Sequence, residues 1–126
     1  MRGHVLIVDD NADNRKLLAF ILDETELSYK EASTAEEGLE LLRKERFDAV
    51  LMDISLPTMQ GDEAIAEIRR DATYGNPLLL AVTAHAIKGE RERILNCGAD
   101  GVVVKPVDED DLLSTLEQKL KGAGDG

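Results

Sequence analysis

The amino-acid sequence predicts an α/β domain in which a parallel β-sheet is covered by helices on both faces. Five short apolar runs alternate with segments whose apolar residues recur at helical spacing. This alternation is typical of parallel strands joined by crossover helices. The chain of 126 residues is the length of one domain, and 43% of its residues are hydrophobic, which is enough to form a buried core.

The predicted strands are the apolar runs at residues 4–8, 27–33, 47–52, 78–82 and 101–104. The third run continues from Ala49 through Met52 directly into Asp53. An uninterrupted apolar run of this kind indicates a strand that is buried on both faces. The second run alternates only weakly between apolar and polar residues, so we expect it at an edge of the sheet.

The predicted helices follow the strands. Capping and helix-breaking residues define their ends, namely Asn11, Thr34, Gly61, Gly98 and Asp108. In the fourth helix, Ile87, Ile94 and Leu95 mark the apolar face. Arg91 and Arg93 of the same helix are expected to face solvent.

Charge and composition exclude several classes of protein. The net charge of −11 argues against a nucleic-acid-binding surface, because such surfaces use Lys and Arg to neutralise phosphates. The single cysteine, Cys97, cannot form an internal disulfide, which fits a reducing compartment. No signal-peptide pattern opens the chain, and no apolar stretch approaches the roughly 18 residues of a membrane-spanning helix. We therefore expect a cytoplasmic protein with no nucleic-acid or membrane partner.

Polar side chains follow four of the predicted strands. The first strand ends at Asp9 and Asp10, the third at Asp53, the fourth at Thr83 and the fifth at Lys105. Because the carboxyl ends of parallel strands meet at one edge of the sheet, we expect these side chains to converge there.

Such a cluster has a specific chemistry. Three close carboxylates repel one another and hold protons unless a cation is present. Carboxylate oxygens suit Mg²⁺, which also keeps waters and phosphate oxygens as ligands. With an ammonium and a hydroxyl nearby, the site would neutralise a phosphoryl group. No serine or histidine triad is evident, so the central carboxylate, Asp53, is the candidate nucleophile.

Four motifs occur in order at the predicted strand ends: LIVDDN at residues 6–11, LMDISLPTMQG at 51–61, VTA at 82–84 and KP at 105–106. Together they resemble the receiver domain of two-component response regulators over essentially the whole chain. The resemblance implies a flavodoxin-like, doubly wound sheet of five parallel strands in the order 2-1-3-4-5, with five helices. We expect one receiver domain over residues 1–121, and the glycine-rich residues 122–126 are predicted to form a flexible tail.

The resemblance also implies how the site works. Asp53 would accept a phosphoryl group from the phosphohistidine of a histidine kinase or histidine phosphotransferase. Asp10, Asp53 and the backbone carbonyl of Ser55 would bind Mg²⁺ directly, and Asp9 would act through a metal-bound water. The domain would then switch conformation to regulate its partners. It would catalyse only its own phosphorylation and dephosphorylation, and so would not be an enzyme acting on other molecules.

By the same resemblance, the ends of the fourth and fifth strands would carry the switch. Lys105 would pair with the acceptor carboxylate and then with a phosphoryl oxygen, and the peptide bond between Lys105 and Pro106 would be cis. Thr83 would move its hydroxyl onto the phosphoryl group. The family often has an aromatic residue where Val102 stands here. We therefore expect phosphorylation to move residues 84–88 more than it moves Val102.

Two residues are predicted to tune the lifetime of the phosphoryl group. Ser55 lies two positions after Asp53, and His85 lies two positions after Thr83, so both would flank the path of the attacking water. For His85, an ordinary exposed loop residue is an equally good interpretation.

Partner docking is also implied by the resemblance. The surface of the first helix, with Asp13, Asn14 and Arg15, and the loops at the rim of the sheet would contact the partner. The domain is expected to be a monomer or a weak dimer.

Two other functions share parts of this pattern. A Mg²⁺-dependent phosphohydrolase of small phosphates would also use an aspartyl nucleophile, but such enzymes usually have a second acid where Ser55 stands. A flavin-binding module would share the fold. However, the chain has no clear phosphate-cradling glycine loop, and its aromatic residues are only Phe20, Tyr29, Phe47 and Tyr74.

Overall fold

A computed structural model describes the backbone of residues 2–85, 87 and 89–125, and the side chains of these residues up to Leu120. Within them, five parallel strands form one sheet in the order β2-β1-β3-β4-β5. The strands are β1 (His4–Val8), β2 (Ser28–Ala32), β3 (Ala49–Asp53), β4 (Leu78–Thr83) and β5 (Gly101–Val104). The predicted doubly wound sheet and its strand order are therefore confirmed.

Helices connect the strands and follow the last one. They are α1 (Ala12–Asp23), α2 (Ala35–Lys44), α3 (Gly61–Arg70), α4 (Glu90–Asn96) and α5 (Glu109–Asp125), with a short 3-10 turn at Ala72–Tyr74. As predicted, the side chains of Asn11 and Thr34 accept backbone N–H groups at the starts of α1 and α2. Among the residues described, no helix is both long enough and apolar enough to cross a membrane.

Helix α5 includes residues 122–125, and the flexible tail expected over residues 122–126 stays a prediction. Gly126 lies outside the described residues.

Helix α4 is shorter and less buried than predicted. It begins at Glu90, so Ile87 lies in the preceding loop, where 72% of it is exposed. Leu95 is partly exposed, and Ile94 is the one residue of the helix that is buried. The apolar spacing from Ile87 onwards therefore predicts a longer and more buried helix than the structure contains.

Arg91 and Arg93 are both exposed, as expected, but Arg93 also makes contacts that the sequence pattern does not predict. The guanidinium of Arg93 forms ion pairs with Asp62 of α3 and with Glu90 of its own helix. Asp62 is distant from α4 in the sequence, so the pattern within α4 cannot predict this contact.

Successive side chains of β3 point into two separate cores, one on each face of the sheet. Val50 and Met52 pack in the core that α2 and α3 cover, while Leu51 packs in the core that α1 and α5 cover. All five residues of β3 are buried, as predicted for the central strand. Its last residue, Asp53, therefore ends a doubly buried strand at the carboxyl rim of the sheet.

Candidate functional site

The carboxyl ends of β1 and β3 bring three acidic side chains together. Val8 pairs with Met52 in the parallel register, so Asp9 and Asp10 follow β1 beside Asp53. One carboxylate oxygen from each of the three residues lies within 4.8 Å of the others. Asp9 is only 1% exposed and Asp53 4%, while Asp10 is exposed. The cluster is thus buried against the sheet and reaches solvent at Asp10.

Lys105 supplies a cation to this cluster. Its backbone N–H donates to the carbonyl of Thr83 at 2.8 Å, which holds Lys105 at the rim. Its Nζ lies 3.3 Å from Asp53 Oδ2 and 3.4 Å from Asp9 Oδ2. The peptide bond to Pro106 is cis, as the resemblance implies. One ammonium therefore faces two buried carboxylates and a third at the surface, which leaves the cluster short of positive charge.

The pKa of Asp53 reflects this shortage of positive charge. Burial raises the pKa of Asp53, and the nearby charge of Asp9 raises it further. Lys105 acts in the opposite direction, as does the backbone N–H of Ser55, which donates to Asp53 Oδ1 at 3.2 Å. The raised pKa means that desolvation and repulsion outweigh the single cation. A second cation at the cluster would favour the charged form.

The side chain of Asp9 points to where such a cation would sit. Its Oδ1 accepts the backbone N–H of Asn11 at 2.9 Å, but its buried Oδ2 has no hydrogen-bond partner among the described residues. Lys105 stands at ion-pair distance from Oδ2 without donating a hydrogen bond to it. Buried polar atoms are rarely left unpaired, and hard cations prefer carboxylate oxygens. The donor set of Asp9, Asp10 and Asp53 therefore fits Mg²⁺.

Thr83 lies at the rim with its hydroxyl engaged in its own loop. The hydroxyl donates to the backbone carbonyl of His85 at 3.1 Å and accepts the N–H of His85 at 3.0 Å. Thr83 is buried, whereas His85 is exposed. Ala86 and Lys88, which belong to the segment predicted to move, lie outside the described residues. The movement of that segment relative to Val102 stays a prediction.

Sequence reasoning missed the part that Gly61 plays in the site. A Cβ at this position would lie 1.9 Å from the carbonyl oxygen of Asp53, and the N–H of Gly61 donates to the Ile54 carbonyl at 2.9 Å. Only glycine allows the loop between β3 and α3 to fold back so closely on Asp53. The glycine itself was visible as a helix-breaking residue, but its approach to Asp53 depends on the folded loop.

Arg15 also plays a part that the sequence does not reveal. Its Nη1 donates to the carbonyl of Asp9 at 2.7 Å, and its Nε lies 3.3 Å from Glu31 of β2. Its side chain is only 21% exposed, whereas Asp13 on the same helix is exposed. Arg15, one of the residues predicted to contact a partner, therefore stabilises the turn after β1 and presents little charge to a partner.

One known protein family matches most of the chain, including the site. A family model described as the response regulator receiver domain matches residues 5–117 of the chain. The match includes all of the strand-end residues described above.

Two curated relatives of different length are similar to the chain. It is 33% identical over 123 residues to the polar-differentiation response regulator DivK of Brucella anthropi, covering 98% of the chain and 100% of DivK. It is 32% identical over 120 residues to the signal transduction histidine-protein kinase BarA of Escherichia coli K12. That match covers 95% of the chain but only 13% of BarA, so the chain spans a small part of this kinase.

Solved structures share the fold. A CheY-like response regulator receiver domain protein from Methanospirillum hungatei JF-1 is 31% identical, with a TM-score of 0.89 and full coverage of both chains. The receiver domain of the sensor histidine kinase PA1611 from Pseudomonas aeruginosa PAO1 is 26% identical, with a TM-score of 0.87 and coverage of 96% and 99%. That structure contains a magnesium ion coordinated in its active-site cleft.

Proposed function

The chain belongs to the response regulator receiver domain family, and on this premise we propose that Asp53 accepts a phosphoryl group from a phosphohistidine. The observation that carries the proposal is the convergence of Asp9, Asp10, Asp53 and Lys105 at one rim of the sheet. Phosphoryl transfer depends mainly on positioning and on charge stabilisation, and this cluster supports both.

We propose Mg²⁺ as the cofactor. Asp10, Asp53 and the backbone carbonyl of Ser55 would hold it directly, and Asp9 would act through a water. When bound, the ion supplies the positive charge that the cluster lacks and orients phosphate oxygens. The unpaired Oδ2 of Asp9 and the magnesium ion in the PA1611 receiver structure support this assignment.

In the proposed transfer, Asp53 reacts as a carboxylate. One of its oxygens forms a bond to phosphorus while the bond from phosphorus to the donor imidazole nitrogen breaks, and that bonding pair returns to the nitrogen. Because burial raises the pKa of Asp53, nearby positive charge is needed to keep it ionised. Lys105 Nζ, 3.3 Å from Asp53 Oδ2, is placed to pair with an oxygen of the transferred group.

The proposed switch begins at Thr83. To donate to a phosphoryl oxygen on Asp53, the Thr83 hydroxyl has to give up its bond to the His85 carbonyl. The loop that contains His85 then has to rearrange. Ser55 and His85 are both exposed. They would flank the path of the attacking water and so set how readily water reaches the phosphoryl group.

We propose a histidine kinase or a histidine phosphotransferase as the phosphodonor. The similarity to a segment of BarA supports a partner of this kind. Helix α1 starts at the rim and exposes Leu17 and Phe20, which are 42% and 62% accessible. Exposed apolar side chains on a helix that starts at the rim of the acceptor site would suit contact with the helices that carry a phosphohistidine.

We further propose that the domain catalyses only its own phosphorylation and dephosphorylation, as a cytoplasmic monomer or weak dimer without a direct nucleic-acid partner. Ser55 stands where a phosphohydrolase would usually carry its second acid, which favours the receiver over that alternative. The net charge of −11 argues against a direct nucleic-acid partner, and the single cysteine fits a reducing compartment such as the cytoplasm.

The direct test is incubation with acetyl phosphate and Mg²⁺, followed by intact mass spectrometry. We expect one phosphoryl group per chain, and we expect none in Asp53→Ala or after removal of Mg²⁺ with EDTA. Asp13→Ala is the matched control, because Asp13 is an exposed acid on α1 outside the cluster. Phosphorylation that survives Asp53→Ala would contradict the proposed site, and turnover of many equivalents of a phosphate ester would favour the phosphohydrolase.

A further inference from the structure

Arg93 of α4 connects two helices beside the site. Its Nη1 lies 2.5 Å from Asp62 Oδ2 in the first turn of α3, and its Nη2 lies 2.6 Å from Glu90 Oε1 in the first turn of α4. Glu90 and Asp62 together hold the pKa of Arg93 above its ordinary value. One guanidinium thus joins the starts of α3 and α4.

The α3 end of this contact is fixed relative to the phosphate acceptor. Asp62 follows Gly61, whose Cα faces the carbonyl of Asp53 too closely to admit a Cβ. The N–H of Gly61 also donates to Ile54. The start of α3 therefore cannot shift without disturbing the backbone that carries Asp53.

The α4 end is held much more weakly by other contacts. The helix has seven residues and buries only Ile94. Gly89 precedes it with a φ of +95°, and no side chain caps its first turn. At the far end, Arg69 of α3 donates from Nε to the carbonyl of Gly98 at 2.8 Å. Among the described residues, Arg93 in the last turn of α4 therefore provides the polar tie to Asp62, and its pair with Glu90 extends that tie to the first turn of the helix.

The near end of α4 is also where the Thr83 loop ends. Thr83 closes β4, and α4 begins only seven positions further along the chain, at Glu90. The hydroxyl of Thr83 donates to the His85 carbonyl, and this bond has to break before the hydroxyl can donate to a phosphoryl oxygen on Asp53. A contact that holds the first turn of α4 therefore also restrains this loop.

We propose that the ion pair of Asp62 with Arg93 is a positioning contact that favours the unphosphorylated arrangement of the Thr83 loop. It is formed in the structure in which Thr83 bonds to His85, so losing it should favour the arrangement in which Thr83 bonds to the phosphoryl group. A contact can shift such an equilibrium only by its differential stabilisation of the two forms. The inference rests on the proposed phosphorylation of Asp53.

The test compares the affinity of wild type, Arg93→Gln and Asp62→Asn for beryllofluoride, a phosphoryl mimic, in the presence of Mg²⁺. We expect roughly two- to fivefold tighter binding in either variant, as suits a partly exposed ion pair, and little further gain in the double variant. Arg91→Gln is the matched control, because it removes the same charge from an exposed position of the same helix.

Amide chemical shifts separate this role from a merely structural one. In Arg93→Gln without ligand, we expect the shifts of Ala84 and His85 to move towards their positions in the beryllofluoride complex of wild type. Affinity equal to that of Arg91→Gln, or weaker than wild type, would overturn the positioning role while leaving the phosphorylation site intact. Failure of wild type itself to bind beryllofluoride would overturn both proposals.

Discussion

The charge of Asp53 shows how a single residue can oppose the stability of the fold that holds it. Burial and the charge of Asp9 raise the pKa of Asp53 in the folded protein. A carboxyl group with a raised folded-state pKa contributes stability below its ordinary pKa, and that contribution is lost as the pH rises through the folded-state pKa. At neutral pH and without metal, the Asp53 carboxylate therefore destabilises the fold.

Replacement of Asp53 by Asn should consequently stabilise the metal-free protein. We expect Asp53→Asn to raise the free energy of unfolding at pH 7 in EDTA by on the order of 1 kcal/mol. Lys105 would keep Asp9 as an ion-pair partner. The difference between variant and wild type should shrink as the pH falls, and its pH-dependent part should vanish below the ordinary pKa of aspartate, where Asp53 is protonated in the folded and the unfolded chain. Urea unfolding at a series of pH values measures it.

The control for this prediction is Asp13→Asn, which removes a charge from an exposed position on α1. Its effect should stay within about 0.5 kcal/mol at every pH. A gain for Asp53→Asn that is independent of pH, or a loss at pH 7, would show that burial of the carboxylate is not the cause.

At the scale of secondary-structure elements, Arg69 connects the C-terminal end of α3 to the segments that pack beside it. Its Nη1 donates to the side chain of Asn76 at 2.9 Å and to the carbonyl of Pro77 at 3.0 Å, in the loop before β4. Its Nη2 bonds to Asp100, whose carboxylate also accepts the N–H of Leu79. Together with its bond to the carbonyl of Gly98, two residues after α4, these contacts join α3, β4 and the entry to β5 through one side chain.

We predict that Arg69→Lys lowers the free energy of unfolding by about 2 kcal/mol, because an ammonium cannot reproduce the planar set of hydrogen bonds. Denaturant unfolding measures the loss. Arg70→Lys is the control, since Arg70 is exposed at the next position of α3, and it should change stability by less than about 0.5 kcal/mol. Equal effects of the two substitutions would assign the loss to helix propensity or charge and remove the proposed junction.

At the scale of the whole molecule, the sequence predicts what depends on periodic patterns. The alternation of apolar runs and amphipathic segments predicts the parallel sheet, and the uninterrupted run before Asp53 predicts the doubly buried strand. The rim of the sheet then follows from geometry, because parallel strands end on the same side. This is why the sequence predicts that the acidic residues, Thr83 and Lys105 lie at one rim of the sheet.

What the sequence does not predict depends on contacts between distant segments. The pairing of Arg93 with Asp62 joins two helices, and the closeness of Gly61 to Asp53 depends on the folded loop. Thr58 adopts a left-handed backbone, with a φ of +59°, while its hydroxyl donates to Glu36 of α2 at 2.6 Å. A threonine is uncommon in that conformation, so its residue type gives no signal for it.

The fold as a whole should respond to the metal, because the proposed ligands come from β1 and β3 at the centre of the sheet. A ligand that binds only the folded state stabilises it by an amount that grows with the logarithm of its concentration, about 2.7 kcal/mol at a hundred times Kd. We predict that MgCl₂ raises the midpoint of thermal unfolding, and that Asp10→Asn largely abolishes the rise. Asp10 is exposed, so this substitution should leave the metal-free fold intact.

NaCl at equal ionic strength controls for screening of the net charge of −11. If NaCl stabilises wild type as much as MgCl₂ does, or if Asp10→Asn responds to MgCl₂ as wild type does, the acidic cluster does not bind the ion.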